Sequence, residues 1–214
     1  LAKQSPVLIS EDVELTTPAV PSHFFPLLND RGRNYVTALD GTSGLVTEGR
    51  LEAASHPGYG GIRLNGNSVV SFPRGPELER TQSFSFAAWI KIYTNSPSAP
   101  VMAKLNHTQN YQGWDFGVDN RRPVIHLVNR WPESGLKVIG KEELKAKEWH
   151  HVVITYDGSS KAAGVKIYLN GQLQENVVER DTLAGPIANP TQFRIGSRSD
   201  NNKFLGEVDE LAIY

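Results

Sequence analysis

The stretch KEWHHVVITYDGSSKAAGVKIYLNGQ, Lys147 to Gln172, decides the fold. Strand alternation places His150, Val152, Ile154 and Tyr156 on one face and His151, Val153 and Thr155 on the other. The two histidines therefore point in opposite directions and cannot chelate one metal together. Asp157-Gly158-Ser159-Ser160 is a turn, because Asp bonds its own backbone ahead and Gly tolerates positive φ. Val165, Ile167 and Leu169 run back as a partner strand. Asn170-Gly171 then closes a two-residue hairpin, since a type I′ turn needs positive φ at both positions. On these grounds the stretch is scaffold rather than a catalytic or metal site, buried histidines being commonly satisfied core groups.

The same pattern extends along the chain. Gly (19) and Pro (13) fall between short apolar runs, and the number and spacing of those runs predict an antiparallel two-sheet β-sandwich. In SFSFAAWIKI, Phe84, Phe86, Ala88, Ile90 and Ile92 share one face, which is the inner face of a sheet packed on another sheet. Ser85, Ala87, Trp89 and Lys91 share the other face. The predicted core takes Phe84, Phe86, Ile90, Val152, Ile154, Ile167, Leu169, Ile195, Val208 and Leu211. GKEELKAKEW has too little apolar face for more than a turn or a short helix. Residues 1–23 carry three prolines and no sustained period, and read as a linker or a strap. Residues 24–214 form the single predicted domain.

Composition excludes several classes. The 214 residues carry a formal net charge of -1, which gives no field to hold nucleic acid or an anionic membrane. No run approaches the roughly 18 apolar residues of a membrane span, so membrane insertion is not expected. The absence of cysteine removes disulfides, thiolate metal sites and a cysteine nucleophile. No Walker loop, G-x-G-x-x-G, G-x-S-x-G, H-E-x-x-H or EF-hand pattern occurs. Leu1 is not preceded by Met or a signal peptide, so the chain reads as a piece of something longer.

W-H-H-V-x-x-T-Y-D-G-S followed by G-V-K-I-Y-L-N-G resembles the laminin-G-like, concanavalin A-like jelly-roll family. GYGGIRLNGNSVVSFP, SFSFAAWIK, FRIGSR and FLGEVDELAIY are similar to further strands of that family, in the right order, over about Phe24 to Tyr214. The resemblance implies an all-β jelly roll. YDGSSKAAGVKIYLNG with NRWPESGLKVIGKEEL is similar, more narrowly, to the domain embedded in planctomycete multidomain proteins that also carry a cytochrome-c-like domain. That implies an exported parent in the periplasm, cell envelope or extracellular space. No C-x-x-C-H haem motif is present here.

The jelly roll also hosts glucanases, whose carboxylates must alternate on one strand to face one groove. Glu207 and Asp209 share a face, but positions 211 and 212, where the third carboxylate belongs, hold Leu and Ala. The expectation is therefore no enzyme. Many members of the resembled family hold one calcium, which takes hard oxygen ligands. The family pattern points to Asp209, with Asp40 of ALDGTSG as an acidic partner; the alternative is that Asp209 caps backbone N–H groups. SRSDNNK is a second oxygen-rich loop, or a solvated turn.

Sugar-binding sandwiches offer an aromatic platform beside polar groups. The candidates are Asn129, Arg130 and Trp131 in VNRWPES, Tyr111 and Trp114 in QNYQGWD, and Asp200, Asn201 and Asn202. Trp131 follows a strand and is the best placed for exposure, whereas Trp114 alternates with Phe116 and Val118, a core pattern. The reading is a non-catalytic binding or adhesion module with carbohydrate as its ligand. The alternative is a spacer that docks other domains of its parent and binds nothing free.

Overall fold

The computed structural model describes residues 20–27, 35–54, 56, 60–93, 98–198 and 202–214. Among these residues seventeen strands follow one another, with two single-turn 3₁₀ segments between them. The first six are β1 (His23–Phe25), β2 (Tyr35–Thr37), β3 (Ser43–Glu48), β4 (Glu52–Ala53), β5 (Ile62–Asn65) and β6 (Val69–Phe72). The long central ones are β7 (Phe84–Ile92), β8 (Ala99–Asn106), β9 (Gln112–Asp119), β10 (Arg122–Arg130), β11 (Ser134–Gly140) and β12 (His150–Tyr156). The last five are β13 (Val165–Leu169), β14 (Gln172–Leu173), β15 (Asn176–Asp181), β16 (Phe193–Ile195) and β17 (Leu205–Ile213).

They form two antiparallel sheets. The eight-stranded sheet runs β14-β13-β12-β7-β17-β5-β4, with β1 also on β17. The nine-stranded sheet runs β15-β11-β10-β9-β8-β16-β6-β3-β2. The all-β sandwich is as predicted, and all ten predicted core residues are buried. Residues 1–19 of the predicted strap lie outside the described residues. Val20 to Ser22 lead into β1, and the Ser22 hydroxyl donates to the carbonyl of Ile213 at 2.8 Å.

Lys147 to Gln172 folds as its pattern requires. β12 pairs with β13 through Val152↔Leu169 to Tyr156↔Val165. Asp157 Oδ1 accepts the Ser159 N–H at 2.9 Å, and Asn170 (φ 51) and Gly171 (φ 80) supply the two left-handed residues of the tight turn. GKEELKAKEW forms no helix; it is a turn-rich connection that lays Leu144 into the core.

The two sheets meet through aromatic rings. Phe86 on β7 stacks against Trp114 at 5.0 Å and Phe116 at 5.8 Å, both on β9. Phe25 on β1 packs edge-on to Phe72 at 5.1 Å and lies 5.4 Å from Phe193, so β1 is tied to the opposite sheet as well. Because Trp114 and Phe116 point inward, Asp115 between them must point outward. Pairing in register then carries one row across the outer face of the nine-stranded sheet. It runs Arg194, Ala103, Asp115, His126, Lys137, Arg180.

One departure from plain alternation lies in β17. Asp209 faces Trp89 and Ala212 faces Ala87, so an extra residue is accommodated between them. Glu210 adopts φ 49 there. The bulge lets Val208 and Leu211, which plain alternation would send to opposite faces, both enter the core. Truncating the ring at the centre of the sheet-to-sheet contact, Phe86→Ala, should lower the unfolding free energy by about 3–5 kcal/mol. Urea unfolding followed by tryptophan fluorescence measures it.

Candidate functional site

A cleft of about 260 Å³ opens on the outer face of the nine-stranded sheet, lined among others by Tyr111, Asp115, His126, Trp131, Lys137 and Arg198. Its floor takes Asp115, His126 and Lys137 from the row just described. Asp115 is 1% exposed. Its Oδ1 lies 2.8 Å from His126 Nδ1, and its Oδ2 accepts from Arg198 Nε at 2.6 Å. Burial works against the charged carboxylate, but Arg198, and then His126, outweigh it and hold Asp115 far below the usual carboxylate range. Lys137 lies beside them, its ammonium 2.7 Å from both Asp119 and Glu179. Burial alone would lower the Lys137 pKa; its hydrogen bonds to Asp119 and Glu179 raise it instead.

Two aromatic residues border this floor. Tyr111 sits in the β8–β9 connection, where Asn110 (φ 55) and Tyr111 (φ 62) both take left-handed conformations, and it is 39% exposed. Trp131 follows β10 and folds back over β11. Gly135 makes room for it: a Cβ there would meet the indole at 3.2 Å. The Trp131 ring stands edge-on to His126 at 5.9 Å, and the Arg180 guanidinium lies 5.7 Å from the ring centre. The Trp131 backbone N–H donates to the Asn110 carbonyl at 2.9 Å, which ties the two aromatic loops together.

The structure thus brings together Tyr111, Trp131 and Asn202 of the residues proposed from sequence. Trp114 is corrected: it is 1% exposed and belongs to the core. Asn129 and Arg130 are not among the residues lining the cleft. The Asn129 side chain donates to the Pro186 carbonyl at 2.8 Å, and a register shift pairs Arg130 with Ser134 at the strand end. Asp200 and Asn201 lie outside the described residues. Asp115, His126, Lys137 and Arg198 were missed. The available signal was a lone polar residue on the outward positions of GWDFGVD and PVIHLVN, but it is the register that unites them.

The acidic residues of the closing strand serve the other sheet. Asp209 is fully buried; its Oδ2 is 2.9 Å from His56 Nδ1 and its Oδ1 accepts the Glu210 N–H at 2.9 Å. His56 in turn packs between Trp149, at 4.4 Å, and Trp89, at 5.1 Å. Glu207, 3% exposed, accepts from the Tyr93 hydroxyl and pairs with Lys91 at 3.6 Å. Burial, and then the bond to Glu207, push the Tyr93 phenol up to about 12. Neither carboxylate opens onto the cleft, which lies on the opposite sheet. Asp40, the other calcium candidate, accepts the Thr42 N–H at 2.8 Å within its own turn. Among the described residues no group of three or more His, Asp or Glu side chains is placed to hold a metal ion.

Residues 64–214 match the model of the concanavalin A-like lectin/glucanases superfamily, Laminin_G_3. The chain belongs to that superfamily. No curated protein matches it. Among solved structures, the binding domain of Paraclostridial Mosquitocidal Protein 1 is 16% identical, with a TM-score of 0.65 over 90% of this chain and 48% of that one. The binding domain of Botulinum neurotoxin DC, solved with rat synaptotagmin II, is 17% identical with a TM-score of 0.62, again over 90% and 48%. Domain 4 of AbnA, an extracellular arabinanase from Geobacillus stearothermophilus in complex with arabinotriose, is 19% identical. Its TM-score is 0.53, over 83% of this chain and 85% of that one. This chain therefore spans about half the length of the toxin binding domains, and at these identities the likeness shows the fold. No helix among the described residues is long and apolar enough to cross a membrane.

Asp115 carries a stability prediction. A carboxylate whose folded pKa is depressed stabilises the fold fully above its unfolded value, near 3.8, and that contribution is lost as the pH falls below it. Asp115→Asn should destabilise the protein by on the order of 3 kcal/mol at pH 7, because it removes the buried charge that Arg198 and His126 both face. The gap between variant and parent, measured by denaturant melts, should narrow below about pH 4.

Proposed function

We propose that this domain is a non-catalytic binding module that takes a saccharide in the cleft bordered by Tyr111 and Trp131. The observation that carries the reading is the pairing of two solvent-accessible aromatics with a fixed polar floor, Asp115–His126–Arg198. Sugar C–H faces pack on aromatic rings, and hydroxyls need partners whose positions are already set. The Asp115 network provides such partners, since its members are held by one another before any ligand arrives. Membership of a lectin/glucanase superfamily supports the reading, and so does a similar fold that was solved with arabinotriose. The non-catalytic part follows from the carboxylates: hydrolysis of a glycosidic bond needs two of them flanking an open groove. Glu207 and Asp209 are instead buried and engaged on the other sheet.

An exported parent, in the periplasm, cell envelope or extracellular space, belongs to this proposal, with the domain delivering that parent to a polysaccharide. A single calcium bound through backbone carbonyls remains part of it only as a supplement to the fold, because the Asp40 and Asp209 carboxylates already have other partners. Docking onto another domain of the parent is the second reading, supported by toxin neighbours that are about twice as long as this chain.

A glycan array followed by calorimetry tests the proposal. Trp131→Ala should weaken saccharide binding ten-fold or more, about 1.4 kcal/mol or more, with an unchanged melting temperature. Binding that survives Trp131→Ala intact would place the ligand elsewhere and defeat the reading.

A further inference from the structure

The charges that line or back the cleft floor are compensated before a ligand arrives. Asp115 accepts from Arg198 Nε at 2.6 Å and lies 2.8 Å from His126 Nδ1. Lys137 holds two carboxylates at once, Asp119 and Glu179, each 2.7 Å from its ammonium. Carboxylates therefore outnumber permanently charged bases in this group, three to two. Apart from His126, the rest of the lining is uncharged: Ser98, Tyr111, Trp131 and Asn202, with Leu105 and Val128. Arg180, beside the Trp131 ring, is not among the residues lining the cleft.

Such a floor treats two kinds of sugar differently. A hydroxyl both donates and accepts, so it can meet either member of an ion pair, and Ser98, Tyr111 and Asn202 offer it the same two roles. An ionised carboxylate or sulfate only accepts. At Lys137 it approaches an ammonium that already faces two carboxylates, and their repulsion offsets the attraction. At Arg198 it meets Asp115 in the same way. Glu179 is the member that exceeds compensation. Asp119 alone neutralises Lys137, and Glu179 adds a second negative charge from the sheet's edge strand, β15. It is the extra residue of the register shift between β11 and β15, a local feature of the kind that re-aims a side chain. Its side chain is 45% exposed, and it is not itself among the residues lining the cleft.

We propose that the cleft selects uncharged saccharides against uronate- or sulfate-bearing ones, and that Glu179 is a specificity-determining residue that sets this selection by overcompensating Lys137. This rests on the saccharide-binding reading above and adds to it the charge class of the ligand. Discrimination here comes from a repulsive element placed against the wrong ligand, and not from an added contact to the right one. Glu179 acts through the field at Lys137 and touches no ligand itself.

The test uses two matched pairs of probes on the intact chain, galactotriose with trigalacturonate and mannotriose with trimannuronate, by calorimetry at about 20 mM and about 300 mM NaCl. In a pair that binds, the uncharged member should be about ten-fold or more tighter at low salt, and its affinity should not change with salt. Glu179→Gln, an exposed substitution, should narrow that gap several-fold by strengthening the acidic member. An unchanged gap in Glu179→Gln removes Glu179 from the proposal. The glycan array extends the comparison to other sugars: hits confined to uncharged glycans support the selection, and hits among uronates or sulfated glycans count against it. An acidic member that binds as tightly as its uncharged partner would overturn the charge assignment and leave the saccharide reading standing. An array with no hits, together with four silent probes, brings down both.

Discussion

The contact between Phe86 and the Trp114–Phe116 pair holds the two sheets together, and most of the remaining architecture follows from it. Each ring buries a large apolar area, and the ring pairs add a preference for defined geometry. Once Trp114 and Phe116 are committed inward, β9 has no freedom left. Asp115 must face outward, and with it His126 and Lys137 on the paired strands. The polar floor of the cleft is the reverse side of the aromatic core.

That origin explains how a charged group comes to be nearly inaccessible on a sheet's outer face. Asp115 is covered by Arg198 from the segment after β16 and by the cleft walls, so it is desolvated without entering the interior. A lone carboxylate there would take up a proton; two basic partners keep it ionised. The arrangement fixes the His126 ring through Nδ1. Gly135 leaves the space that Trp131 packs into, since a Cβ at that position would press on the indole at 3.2 Å.

The opposite sheet handles its polar residues differently. Asp209 and Glu207 look like a catalytic pair on paper, because they alternate on one strand. In the fold His56, held between Trp89 and Trp149, covers Asp209, while Tyr93 and Lys91 engage Glu207. These carboxylates anchor the segments that cross the outer face of the eight-stranded sheet. The same residue types therefore form a cleft on one face and a closed network on the other. The difference lies in which loops lie over them.

The sequence by itself determined the sandwich, the β12–β13 pairing and turn, and the identity of the core. Those features depend on period-two alternation and on backbone preferences of Asn and Gly, which are local properties of the chain. It also marked Trp131 and Tyr111 as candidate aromatics beside polar groups. Only the tertiary structure decided what those aromatics surround. Asp115, His126, Lys137 and Arg198 are up to 83 residues apart in sequence; strand register, a non-local property, aligns the first three, and the segment after β16 brings Arg198 onto them. The bulge in β17 was equally out of reach: both Val208 and Leu211 were expected in the core, but plain alternation sends them to opposite faces and only the pairing with β7 shows the extra residue that turns both inward. Trp114 and Trp131 have the same chemistry. One is core and the other borders the outer cleft because of which side of the nine-stranded sheet each is turned to.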